Sequence, residues 1–318
     1  MVPHEKSSAA SDNDSDSLNI VNKGLVIFFI ISIFVTNLLL MCKTVKKDGL
    51  KYCPQRMILM SMVTADIYLA VFSLTVKARS IFEGTHIFKS CDLYKPVEIY
   101  LNYLVHFVYG TGLILLSLEL VLGYKAPYIY CDIRGGRMQA IFYSLLPWTL
   151  GLAIVPPLTM HGTTDTSYRH GVQVDCFGNA SPERVVAMNL VSVILPATLA
   201  VIVSFVVMCD NVCCSVTLAS NCNIAGDKVS DHSFNTATTP LTHRQQRTRS
   251  DSPARRSSII CILSFVFLLC VVPNAAYNIL TAVYSMFEVY GVLHYSFLWM
   301  SVFRSFITPL ICIICIRN

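Results

Sequence analysis

PVEIYLNYLVHFVYGTGLILLSLELVLGYKAP, residues 96–127, is apolar over a length that crosses a bilayer, yet it carries Glu98, Asn102, His106 and Tyr109 at steps of four, four and three. At about 100° per residue these four side chains fall within about 80° of one another, on one helix face. Unpaired polar groups turned to hydrocarbon cost several kcal/mol, so the stripe has to face other helices or water. The segment reads as one member of a bundle, with a polar cavity open toward its Glu98 end.

The rest of the chain has the same character. Of its 318 residues, 54% are hydrophobic and only 14% charged, against about 25% charged in soluble domains. Seven long apolar runs, roughly 20–42, 57–79, 97–122, 138–160, 185–208, 258–283 and 292–316, each approach or exceed the ~20 residues that cross the hydrocarbon core. The expected fold is all-α, a seven-transmembrane-helix bundle over residues 20–316. A soluble protein with buried core helices is the alternative, and seven such runs in one chain weigh against it. The net charge of +5 is a weak argument for nucleic acid. There is no glycine-rich phosphate loop, no paired CxxC and no clustered set of metal ligands, so no enzyme, cofactor, metal or nucleic-acid partner is expected.

Residues 1–19 are rich in Ser and Asp without an apolar core and read as a disordered tail. Asn13-Asp14-Ser15 is a glycosylation sequon, which favours an extracellular tail with Asn13 as acceptor. An odd number of spans puts the termini on opposite sides. With the N-terminus extracellular and the C-terminus cytoplasmic, 15 of the 24 Lys and Arg residues fall in inner loops and the C-terminal tip, eight fall outside, and Arg304 lies within a span. That matches the positive-inside bias. The first inner loop (Lys43, Lys46, Lys47, Lys51, Arg56) is the clearest case, whereas Lys77, Arg79, Lys89 and Lys95 in the first outer loop pull the other way. Of the 13 cysteines only Cys91 and Cys176 then lie in outer loops, where a disulfide persists. They form a natural pair, two free thiols being the alternative. Residues 209–257 are polar and Ser/Thr-rich and read as a disordered third intracellular loop. Its arginines suit basic-directed phosphorylation at Ser250, Ser252, Ser257 and Ser258, or equally a positive flank for the sixth helix.

With this organisation the chain resembles the rhodopsin-like G-protein-coupled receptors from about residue 20 to its end. Asn37 stands where the family keeps an asparagine in helix one. Helix two reads LMSMVTADIYLAV, with the Ala65-Asp66 pair; helix four has Trp148 and Pro156-Pro157; helix five has Pro196. FVFLLCVVPNAAY carries the helix-six pattern at Phe267, Cys270 and Pro273, and ITPLIC keeps the helix-seven proline at Pro309. Cys91 and Cys176 resemble the family's outer disulfide. The departures fall on the coupling motifs. The acidic-Arg-aromatic triplet is Glu119-Leu120-Val121, the helix-six tryptophan is Val271, and the helix-seven Asn and Tyr are Thr308 and Cys312. In the family that arginine contacts helix six and then the G protein, which Leu120 cannot do.

Asp66 and Arg304 are the intramembrane charges that most need a partner. Asp66 lies about 13 Å from the cytoplasmic start of helix two and Arg304 about 18 Å from the inner end of helix seven, at 1.5 Å per residue. Ser301, Arg304, Ser305 and Thr308 share one face of helix seven, which should turn inward. The family often holds a sodium ion against the aspartate; here the Arg304 guanidinium is expected to replace it and pair with Asp66. A guanidinium turned to water in the bundle is the alternative.

The expected ligand site is lined by Glu98, Asn102 and His106 of helix three and by Asn274, Tyr277 and Asn278 of helix six. The resemblance places the amine-receptor aspartate at Asn102 and the retinal-binding lysine at Val302, which disfavours a simple amine and photoreception. Glu119, Leu120, Pro273, Thr308 and Pro309 are the expected activation and coupling positions. The leading expectation is a multi-pass plasma-membrane receptor, embedded in lipid, that binds an extracellular ligand (a peptide among the candidates). It would signal to a heterotrimeric G protein by moving helix six. A receptor-like protein that binds ligand or partner receptors without activating a G protein is the second reading. A seven-span transporter is the third, and the internal repeats that would favour it are not visible.

Overall fold

In hydrocarbon an apolar run can satisfy its backbone N–H and C=O groups only within itself, as a helix. The computed structural model describes residues 9–48, 54–83, 97, 99–125, 137–160, 182–226, 253–284 and 291–317 and is helical over these runs. Helix α1 covers Ala9–Asp48. Helix α2 comprises Pro54–Tyr68, a π turn at Leu69–Ser73 and Leu74–Glu83. Helix α3 begins with a π turn at Tyr100–Leu104 and continues over Val105–Lys125; α4 is Arg137–Met160. Helix α5 runs through Pro182–Asn189, a π turn at Leu190–Ile194 and Leu195–Gly226. Helices α6 and α7 are Pro253–Val283 and Gly291–Arg317. All seven are long and apolar enough to cross a membrane.

Two boundaries depart from the sequence reading. Helix α1 begins at Ala9, inside the stretch expected to be disordered over 1–19, and α5 continues to Gly226, inside the expected loop 209–257. Extending a formed helix adds a hydrogen bond per residue without a new nucleus.

The bundle turns apolar side chains outward and keeps its intramembrane charges inside an otherwise apolar core. Ile27, Phe28, Ile31, Val35 and Leu39 are exposed along α1, and Ile262, Phe265 and Leu269 along α6, whereas Asp66, His106, Glu119 and Arg304 are buried. Lipid makes this the stable arrangement, since tails solvate the outer side chains and only other helices can solvate the inner ones.

Polar side chains then fix which helices meet. Asn37 Nδ2 donates to the backbone oxygen of Ser305 at 3.0 Å, and Trp299 Nε1 donates to Asn22 Oδ1 at 3.0 Å, fastening α1 to α7. Trp148 Nε1 donates to Ser61 Oγ at 2.9 Å while Ser61 donates to the Ser144 carbonyl at 2.7 Å, joining α2 to α4. The Tyr100 hydroxyl donates to the Ala65 carbonyl at 2.9 Å, joining α3 to α2. If the end where α1, α3, α5 and α7 begin is called upper, all three π turns lie toward it, and that of α3 packs against those of α2 and α5. Each π turn underwinds its helix and shifts the faces on either side of it. The uniform 100° step behind the Glu98–Tyr109 stripe therefore does not hold through Tyr100–Leu104.

Glycine permits the closest approach at the centre. A Cβ on Gly110 of α3 would lie 2.7 Å from the Pro196 Cβ and 3.3 Å from the Pro196 backbone carbon, so α5 seats against bare backbone. The three atoms nearest a Cβ on Gly112 all belong to the Met62 side chain, Cγ at 2.8 Å, so a side chain rather than backbone would have to shift. Gly110→Ala is therefore expected to destabilise the protein by about 1–3 kcal/mol through overpacking. Gly112→Ala should cost less, its side-chain contact partly offset by ~1 kcal/mol of helix propensity. Thermal unfolding in detergent checks the contrast.

Candidate functional site

The most buried charge lies at mid-depth. Arg304 on α7 is 0% exposed and Asp66 on α2 is 1% exposed. Arg304 Nη2 lies 2.9 Å from Asp66 Oδ1. The Ser305 hydroxyl donates to the same carboxylate oxygen at 2.7 Å and accepts from Nη2 at 2.7 Å, closing a triangle of three polar groups. The guanidinium also lies over aromatic faces, its carbon 4.1 Å from the Tyr109 ring centre and 5.7 Å from that of Phe267. The two rings are themselves 5.1 Å apart. Such stacking is worth about 2 kcal/mol to a desolvated cation, so α3 and α6 share with α2 the task of holding it. A sodium ion against Asp66 does not fit these residues. Nη2 and the serine hydroxyl already converge on Oδ1, and a second cation would meet the guanidinium's repulsion.

Above this level lie further buried polar atoms. His106 of α3 is 2% exposed, Ser192 of α5 0% and Asn274 of α6 4%. Both ring nitrogens of His106, Ser192 Oγ, Asn274 Oδ1 and the Tyr277 hydroxyl have no hydrogen-bond partner among the described residues. Buried polar atoms in this state carry a desolvation penalty that water or a ligand would relieve. His106 and Phe267 have ring centres 6.5 Å apart, and Tyr277 packs on His294 and Phe297 at 6.0 and 5.7 Å. Phe267 thus lies between His106 and the Arg304 guanidinium, while Tyr277 packs on α7 nearer the upper end of the bundle.

Of the expected ligand residues, His106, Asn274 and Tyr277 carry such atoms. Asn102 is half-buried in the α3 π turn, and Asn278 is half-buried on α6. Glu98, Cys91 and Cys176 lie outside the described residues, and Asn13 is placed only as α1 backbone. Glu119 and Leu120 are buried on α3, Thr308 is buried on α7, and Pro273 and Pro309 sit inside α6 and α7. The sequence reading passed over Ser192, although the spacing Asn189, Ser192, Pro196 marks one edge of α5 as polar. It also did not foresee that Tyr109 and Phe267 stack on Arg304. Among the described residues no group of three His, Cys, Asp or Glu side chains could hold a metal ion.

Compared with protein families, residues 36–311 match the 7 transmembrane receptor (rhodopsin family). No curated protein matches the chain.

Removing one partner of a buried pair leaves an uncompensated charge and costs about 3–5 kcal/mol. Arg304→Ala is expected to lose folded, surface-expressed protein, and adding Asp66→Asn should restore much of it. Surface immunostaining and unfolding midpoints of the single and double variants check this, and independent effects of the two changes would contradict the pairing.

Proposed function

The chain belongs to the rhodopsin family of seven-transmembrane receptors, multi-pass membrane proteins without enzymatic activity, and we propose that it binds an extracellular ligand among His106, Ser192, Asn274 and Tyr277. The observation that carries this reading is that buried polar atoms of α3, α5 and α6 in the upper half of the bundle have no hydrogen-bond partner among the described residues. A ligand placing donors and acceptors there would favour one of two packings of the same helices. Pro273 lies one residue before Asn274 and leaves α6 short of a backbone hydrogen bond. That is a natural place for the helix to pivot when Asn274 is engaged. Asn102 and Val302 stand where amine and retinal receptors keep their charged contacts, so secreted peptides are the first class to screen.

A second reading is supported by Leu120. It occupies the position of the family's coupling arginine and is buried and apolar, with no hydrogen-bonding group to offer a G protein. In this reading the receptor binds ligand or partner receptors without activating a G protein.

A secreted-peptide screen with both arrestin-recruitment and nucleotide-exchange readouts separates the two. For any peptide found, His106→Ala and Asn274→Ala should each weaken potency about tenfold at unchanged surface level, the size of one lost buried hydrogen bond. Unchanged potency would move the site elsewhere. Nucleotide exchange by the native chain supports coupling; exchange only in Leu120→Arg supports the second reading.

A further inference from the structure

Gly110, Pro196 and Phe267 give α3, α5 and α6 a common height. A Cβ on Gly110 would lie 2.7 Å from the Pro196 Cβ and 3.2 Å from Phe267 Cε1. The Arg304 guanidinium belongs to the same height, since it stacks on Tyr109, the residue before Gly110, and faces Phe267. From there His106 and Ser192 each lie four residues higher, about 6 Å, and Asn274 lies seven residues above Phe267, about 10 Å. All three side chains are at most 4% exposed, and none is a carboxylate, an ammonium or a guanidinium.

Two constraints decide what can enter at that depth. The first is charge. The buried Asp, Glu, Lys and Arg side chains among the described residues are Asp66, Glu119 and Arg304. Glu119 lies nine residues below Gly110, and Arg304 and Asp66 offset each other at 2.9 Å. Phe267 stands between His106 and the guanidinium. An ammonium or a carboxylate entering above Phe267 would be an unmatched charge in a low-dielectric interior, which is strongly unfavourable. The second constraint is hydrogen bonding. Both nitrogens of His106, Ser192 Oγ and Asn274 Oδ1 have no partner among the described residues. An uncharged imidazole donates through one nitrogen and accepts at the other, a hydroxyl does both, and the Asn274 oxygen only accepts. A carboxylate offers no proton to Asn274, and an ammonium offers no lone pair to an imidazole N–H. A carboxamide supplies two N–H donors and a carbonyl acceptor on one uncharged group.

We propose that the part of the ligand that enters between His106, Ser192 and Asn274 is an uncharged carboxamide, and that carboxylates and ammonium groups are rejected at this depth. The proposal rests on the ligand site put forward above and names the chemistry that site selects. Asn274 is the selecting residue, because its oxygen requires a donor and no buried counter-charge among the described residues shares its height.

The test uses three probes of similar shape, benzamide, benzoate and benzylamine, which carry a carboxamide, a carboxylate and an ammonium. Each is added at about 10 mM to the full chain in lipid nanodiscs, and thermal unfolding midpoints are read for the native protein, Asn274→Ala and Ser192→Ala. Each substitution removes a buried polar atom without a partner, so the variants should fold. Fragments of this size bind in the millimolar range, and benzamide is expected to raise the native midpoint by about 1–2 °C. Benzoate and benzylamine should give less than about a third of that shift. The benzamide shift should disappear in Asn274→Ala and fall by about half in Ser192→Ala. A native midpoint unmoved by benzamide, or moved as far by benzoate or benzylamine, would overturn the carboxamide. If such a benzoate or benzylamine shift vanishes in Asn274→Ala, the ligand site stands and only its chemistry was wrong. A benzamide shift that survives both substitutions puts binding elsewhere and overturns site and carboxamide together.

Discussion

A charge cannot be left alone in hydrocarbon, and the Arg304–Asp66 pair is how this bundle meets that constraint. Nη2, the carboxylate oxygen and the Ser305 hydroxyl lie within 2.9 Å of one another. The guanidinium carbon sits 4.1 Å above Tyr109. Four helices converge on this point, α2 and α7 through charge and α3 and α6 through aromatic faces. The pair does not need to add net stability over an apolar core to matter. Buried ion pairs roughly break even against hydrophobic replacements, whereas a lone partner is strongly destabilising. What the pair supplies is register, because only one alignment of α2 and α7 brings residue 66 to residue 304.

The same reasoning divides the interior into levels. At the middle the two charges are paired through Arg304 Nη2, while Arg304 Nε and Nη1 have no hydrogen-bond partner among the described residues. Above them His106, Ser192 and Asn274 hold polar atoms that the described residues do not match. Below them the hydroxyls of Ser117 on α3, Ser204 on α5 and Ser264 on α6 bond to one another. Phe267 touches both the His106 ring and the Arg304 cage, so α6 senses the upper and middle levels through one side chain.

Much of the fold could be read from the chain because hydrocarbon thickness is a ruler: seven runs near twenty residues, interrupted by polar loops, admit few other folds. The charge partners could be read from depth alone, since Asp66 and Arg304 fall at similar distances from the ends of their helices. Other features left no such trace. No Pro or Gly in Leu69–Ser73, Tyr100–Leu104 or Leu190–Ile194 announces that the helix underwinds there, because π turns answer to packing between helices. Ser117, Ser204 and Ser264 each look, in sequence, like a hydroxyl returning its proton to its own helix. Their meeting depends on helix rotations that periodicity does not report. The helical start of α1 at Ala9 was hidden by composition, since Ser and Asp are poor helix formers in isolation yet can extend a helix nucleated by the membrane span.

The central claim is that Asp66 is ionised inside the bundle and held so by Arg304. Infrared difference spectroscopy of the native protein against the Asp66→Asn/Arg304→Ala double variant, in lipid, reads that charge directly. The account predicts that the substitutions remove an ionised-carboxylate band. Loss of a protonated carboxylic-acid carbonyl band instead would show a neutral Asp66 and contradict it.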